Sequence, residues 1–215
     1  MAMLSNSHLA KITKAAPHPV QMFQTIIDKA KPQLLIMNLA TQDNTYGVLN
    51  RSVVYRGLSQ DEPTPHICFV TEKNSHKYQT LRENPKVAVT ILCSIPDIEL
   101  WQIRLFNAEA VEINDKEILK KFWLEEPLYA KIRSHICECG KPNEGEELDR
   151  KYQEILELYE RESKEPEQTK SYTAFKIIPK TWDFYKSEPN KIADRVQYKL
   201  IEGETDKWQV YHVDA

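Results

Sequence analysis

The chain has 215 residues, with 29 Lys and Arg against 32 Asp and Glu and a net charge of −3, long enough for one self-supporting domain and too balanced to build the basic field that nucleic acid or an anionic membrane requires. Four cysteines, two of them (Cys68 and Cys93) inside apolar strand-like runs, point to buried thiols in a reducing compartment, the cytosol, and not to a disulfide framework. The leader MAMLSNSHLAKITK has no apolar core of signal-peptide length, and no stretch reaches the roughly 20 apolar residues of a membrane span, so a soluble protein without membrane attachment is expected.

Behind Pro17 and Pro19, the apolar residues Val20, Phe23, Ile26, Ile27 and Ala30 recur at helical spacing, with Lys29 and Lys31 at the favourable C-terminal end. From Gln33 the texture becomes β-branched runs of strand size: LLIMNLA, VLNRSVVYRG, HICFVTE, KVAVTILC and the longer ELWQIRLFNAEAVEI. Five strands in so short a span predict a barrel or sandwich. Between the third and fourth, Ser75 is placed to cap a short helix that Pro85 ends.

Past Ile113, Asn114 and Glu117 are spaced as a capping box ahead of Ile118, Leu119, Phe122 and Trp123. Leu148, Tyr152, Ile155, Leu156 and Tyr159 form an apolar stripe on a further helix, whose glutamates from Glu144 to Glu162 read as a solvated face. Strand texture returns in YTAFKIIP, TWDFYKSEPNKIADRVQYKLI and KWQVYHVD. The expected domain is therefore single, with a barrel over 33–113 and 171–215 and a helical insertion over 114–170.

Several chemistries can be set aside. His135, Cys137 and Cys139 lack a second Cys or His pair at zinc-site spacing, so no metal centre is expected. With five glycines and neither Gly-x-Gly-x-x-Gly nor a phosphate loop, the common dinucleotide and triphosphate folds are excluded. What remains is Arg51 and Arg56, Thr71 at a strand end, and Ser75, His76 and Lys77 at a helix start. A helix N-terminus supplemented by a hydroxyl, an imidazole and an ammonium suits a phosphate. Taken singly, each cation reads more readily as a solvated surface charge.

The order of these features resembles the pyridoxine (pyridoxamine) 5′-phosphate oxidase family. The matching segments are Arg51-Ser52-Val53-Val54-Tyr55-Arg56, Phe69-Val70-Thr71, Ser75-His76-Lys77, Asn84-Pro85 and Gln102-Ile103-Arg104. The Trp101-Gln102-Ile103-Arg104 form leans toward a subgroup of oxidase-like flavin proteins of unassigned substrate. The resemblance implies a mainly β fold with flanking helices, the FMN-binding split β-barrel, assembled as a homodimer with flavin mononucleotide in the clefts between subunits. It implies cofactor contacts from Arg51, Ser52, Val53, Val54, Arg56, Val70, Thr71, Ser75, His76, Lys77, Gln102, Tyr185 and Arg195. Arg51 and Lys77 would hold the phosphate, and Gln102 would face the ring system. A small-molecule substrate would meet Arg56 and Lys191. Arg51 and Arg56, five apart, would fall on opposite faces of a regular strand, so either a bulge intervenes or they serve different ligands.

The sequence also departs from the family. Its C-terminal Arg-x-His-Asp-Arg stands here as Lys191-Ile192-Ala193-Asp194-Arg195: the first arginine keeps charge but loses the bidentate fork, and the histidine is gone. Phe122–Ser134 does not match the family's substrate-phosphate contacts. The expected activity is thus an oxidase-like hydride transfer from an unidentified substrate to flavin with reoxidation by oxygen. The alternative is a flavin-binding or scaffold protein without turnover.

Overall fold

The computed structural model describes residues 7–61, 63–95, 98–143 and 145–215. The first six residues of the polar leader, and Glu144 at the head of the acidic face, lie outside the described residues. Helix α1 (Pro19–Ala30) precedes strands β1 (Ile36–Asp43), β2 (Gly47–Val54) and β3 (Ile67–Glu72), helix α2 (His76–Glu83), and strands β4 (Lys86–Ile95) and β5 (Glu99–Ile113). Helices α3 (Lys116–Glu125), α4 (Leu128–Ile136) and α5 (Gly145–Glu162) follow, and β6 (Tyr172–Ser187), β7 (Asp194–Leu200) and β8 (Trp208–His212) complete the chain.

The strands form one antiparallel sheet in the order β2-β1-β4-β5-β6-β7-β8, with β3 paired to β6. Strand β6 makes this possible. One of its edges stays on β5, while the other is divided, residues 172–177 pairing with β3 and residues 181–186 with β7. The division falls at Pro179, which has no N–H to give to a ladder. A residue that cannot donate is well suited to the place where one edge of the strand changes partner. The sequence suggests a break between YTAFKIIP and TWDFYK; instead a single strand runs through the proline, because Pro179 keeps its place opposite Ala108 of β5. A bulge at Asn107 (φ 46°), where the β4–β5 register shifts, adds the local twist that curls the sheet.

Alternate residues of each strand point inward. Met37, Leu39, Ile67, Phe69, Ile91, Ile103, Leu105, Phe175, Ile177, Trp182, Phe184, Val196 and Tyr198 form the main core, which α1 covers with Phe23 and Ile26. A smaller cluster joins Cys68, Ile113, Tyr172 and Ala174 to Phe122 and Trp123 of α3. Cys68 and Cys93 are both buried and free.

One helical expectation needs correction. The cap of α3 is Asp115, not Asn114: its carboxylate accepts from the N–H groups of Glu117 and Ile118, a charged acceptor beating the neutral amide one residue earlier. The apolar stripe of α5 exists, but no residue of that helix is fully buried. No described helix is long and apolar enough to cross a membrane.

Candidate functional site

Strands β2 and β3, the start of α2 and the end of α4 enclose a cavity of about 260 Å³, lined by Ser52, Val53, Val54, Arg56, Val70, Thr71, Glu72, Ser75, Lys77, Arg133, Ser134, Cys137 and Cys139. Its floor is organised by Ser75. The Ser75 hydroxyl caps α2 by accepting from the Tyr78 N–H, donates to the Glu72 carbonyl at 2.7 Å, and lies 3.0 Å from the Thr71 hydroxyl. Lys77 Nζ then donates to Thr71 Oγ1 at 2.8 Å. Strand end, cap and first helical turn thus converge because the chain must satisfy the N–H groups at the helix start.

Lys77 is half-buried and makes no ion pair among the described residues. Burial first, then the nearby Arg51 and Arg133 guanidiniums, pull its ammonium below the ordinary lysine value, with Cys139 and the Glu72 carboxylate opposing. Arg51 is likewise half-buried; its Nη1 donates to Thr41 Oγ1 at 2.6 Å and to the Leu39 carbonyl at 3.3 Å. Burial lowers its pKa, and Asp43 works the other way. Arg51 is not among the residues lining the cavity but lies near Lys77, and neither cation has a contacting carboxylate among the described residues.

The question of Arg51 and Arg56 resolves without a bulge. The β1–β2 register is continuous from Ile36↔Val54 to Asp43↔Gly47. Beyond it the chain transfers to β3: the Arg56 N–H donates to the Cys68 carbonyl and the Cys68 N–H to the Gly57 carbonyl, each at 2.9 Å. Gly57 makes this turn at φ 96°, a region that favours glycine. Arg56 reaches the cavity wall, and its Nη2 donates to Glu126 Oε2 at 2.7 Å.

The other expected residues stand elsewhere. His76 turns out of the cavity, with Nε2 2.7 Å from Asp43 Oδ2. Gln102, Tyr185 and Arg195 lie together on the outer face of β5, β6 and β7, where Tyr185 is opposite both Gln102 and Arg195. There Arg104 donates to Gln102 Oε1 at 2.8 Å and stacks 5.1 Å above the Tyr185 ring. Arg195 grips the fully buried Asp183 through Nε at 2.9 and 3.0 Å and through Nη2 at 2.5 Å. Lys191 Nζ donates to Glu188 Oε2 at 2.5 Å in the turn before β7. Asp194 is structural: its Oδ2 accepts from the Ile12 N–H at 2.6 Å, tying the N-terminal segment to the barrel.

The cavity also contains groups that the sequence did not single out for this role, namely Glu72, Arg133, Ser134, Cys137 and Cys139. Glu72 accepts from Ser134 at 2.6 Å and Ser171 at 2.7 Å, so it fastens α4 and the start of β6 to the wall. No cluster of three or more His, Cys, Asp or Glu able to hold a metal is found among the described residues. His135 Nε2 lies 2.8 Å from the Glu167 carbonyl oxygen.

No family model matches the chain. It is 25% identical over 203 residues to the pyridoxine/pyridoxamine 5′-phosphate oxidase of Idiomarina loihiensis, covering 89% of this chain and 87% of that protein. The same-named enzyme of Deinococcus deserti is 24% identical over 187 residues, 84% of this chain and 83% of its own. The chain is a homologue of the pyridoxine/pyridoxamine 5′-phosphate oxidases. Solved structures show that its fold is the split barrel common to proteins resembling these oxidases. PhzG from Burkholderia lata, in complex with tetrahydrophenazine-1-carboxylic acid, superposes with a TM-score of 0.77 at 14% identity, over 94% of this chain and 95% of its own. A pyridoxamine 5′-phosphate oxidase-related, FMN binding protein from Nostoc punctiforme gives 0.67 at 17% identity, over 94% and 99%.

Proposed function

We propose that the chain is a flavin mononucleotide-binding oxidoreductase of the pyridoxamine 5′-phosphate oxidase type. The observation that carries this reading is the pair Arg51 and Lys77, half-buried cations that meet hydroxyls and a carbonyl but no carboxylate. Partly desolvated charges without a contacting counter-charge are costly. A phosphate beside them would offset that cost through charge-assisted hydrogen bonds. The Thr71 and Ser75 hydroxyls and the first N–H groups of α2 suit the remaining phosphate oxygens. Ser52, Val53, Val54 and Val70 line the same cavity and would contact the rest of the cofactor.

When bound, the flavin would supply the redox chemistry, accepting a hydride from a small-molecule substrate with oxygen as the final acceptor. The chain's own contribution is to anchor the phosphate, orient the ring and keep water from it. Gln102, Tyr185 and Arg195 lie outside the cavity, so in this reading they serve a partner's cofactor across a homodimer. The exposed Ile36, Leu92 and Leu100 on the outer face of β1, β4 and β5 supply apolar surface for such a contact. Arg56 and Lys191 are the cations on the substrate side.

The test is anaerobic incubation of the flavin-loaded protein with pyridoxamine phosphate, pyridoxine phosphate and a panel of unphosphorylated amines and alcohols. Bleaching by at least one compound, reversed when oxygen is admitted, is expected. Flavin that stays oxidised throughout would leave a flavin-binding protein without turnover.

A further inference from the structure

Arg56 lies on the cavity wall; its charge is already matched by a carboxylate, while its buried Nε–H has no hydrogen-bond partner among the described residues. The Glu126 carboxylate that holds Arg56 at 2.7 Å has a side chain only 3% exposed. Glu126 ends α3, immediately before Pro127, and is held from the other side by the Tyr172 hydroxyl, which donates to Oε1 at 3.3 Å. A carboxylate so far from water is tolerated because it is paired. An incoming phosphate could reach the unpartnered Arg56 Nε–H, but only by placing its own negative charge against that buried carboxylate. Lys191 is answered in the same way by Glu188. Arg56 and Lys191 are thus each matched by a carboxylate, in contrast to Arg51 and Lys77.

We propose that Glu126 is a specificity-determining residue: by neutralising Arg56 it leaves this end of the cavity with nothing to gain from a phosphate ester, so that the substrate is an unphosphorylated small molecule. The inference rests on the flavin reading for its use of the word substrate, but not for the charge pairing itself. It also names the change that would convert the site. Without the Glu126 charge, Arg56 becomes a free cation facing the cavity.

Calorimetric titration of the FMN-saturated protein with pyridoxine and with pyridoxine 5′-phosphate tests this. Saturation keeps the Arg51–Lys77 corner filled, and flavin content is measured on the same samples. The wild type should bind the two probes within about threefold of each other, whereas Glu126→Gln should prefer the ester by roughly tenfold or more, equivalent to about 1.4 kcal/mol. Adding Arg56→Ala to Glu126→Gln should abolish that preference. A wild type that binds neither probe supports the proposal if Glu126→Gln gains the ester alone. A wild type that already favours the ester beyond about threefold overturns it, as does a folded Glu126→Gln with no gain. Should Glu126→Gln fail to fold, the wild-type ratio decides by itself. A protein that takes up no flavin would defeat the functional reading; the same ratios, measured in the Arg51→Ala/Lys77→Ala background so that the open corner offers no cation, would still decide the charge pairing.

Discussion

Two groups of cations sit on one barrel and are treated in opposite ways. In the corner between β2 and α2, Arg51 and Lys77 touch only hydroxyls and a carbonyl, and burial depresses both. On the outer face of β5–β7, Arg195 is locked onto the buried Asp183, and its ionised form is favoured by that hydrogen bond. The first arrangement spends stability to keep charge available, and the second uses charge to hold strands together. A residue's type does not distinguish the two roles. Its partner does, and the partner is set by the fold.

That contrast can be broken experimentally. The largest effect is expected from Asp183→Ala, which strands Arg195 and removes an acceptor also used by Gln197. It should cost about 3 kcal/mol of folding stability, read from denaturant unfolding. A loss no larger than an ordinary surface substitution would show the pair to be incidental. Lys77→Ala and Arg51→Ala should behave oppositely, each weakening flavin binding by about 1.5–3 kcal/mol in a fluorescence titration while leaving the apo-protein no less stable.

Ser75→Ala comes next, because its hydroxyl both caps α2 and meets Thr71. About 1 kcal/mol of stability should be lost, together with a smaller loss of flavin affinity. Unchanged thermal unfolding would separate the cap from the site. The smallest effect is confined to low pH. Asp43 is drawn from 3.8 down to about 2, chiefly by the Tyr46 N–H and, against opposing desolvation, by Thr45, Thr80 and His76. A depressed carboxyl contributes stability that is complete above its unfolded pKa and lost as pH falls through its folded one. The loss should therefore run from about pH 4 to about pH 2, and Asp43→Asn should flatten that segment of the stability curve. An unaltered slope would remove Asp43 from the account.

Much of the barrel was legible because its signals are local. The alternation in Glu99–Ile113 gave β5 its observed bounds, and Ser75 with Pro85 framed α2. The site was legible only where the resemblance aligned a motif. Arg56 and Glu126 are 70 positions apart, and nothing local indicates that they meet. Arg133, Cys137 and Cys139 reach the cavity only because α4 breaks away from α3 at Glu126–Pro127, a tertiary outcome that periodicity does not encode. Gln102, Tyr185 and Arg195 matched the same family pattern as Lys77 yet lie outside its cavity, since order along the chain does not say which residues the fold gathers around one cavity.

The measurement that tests the central claim most directly is the absorbance spectrum of the purified protein after desalting, taken in parallel on wild type and on the Arg51→Ala/Lys77→Ala double variant. Flavin bands near about 370 and 450 nm in the wild type, with flavin mononucleotide released on denaturation and the bands lost in the folded double variant, are the predicted result. A wild type that stays colourless after incubation with flavin mononucleotide, or a double variant that retains the full bands, would contradict it.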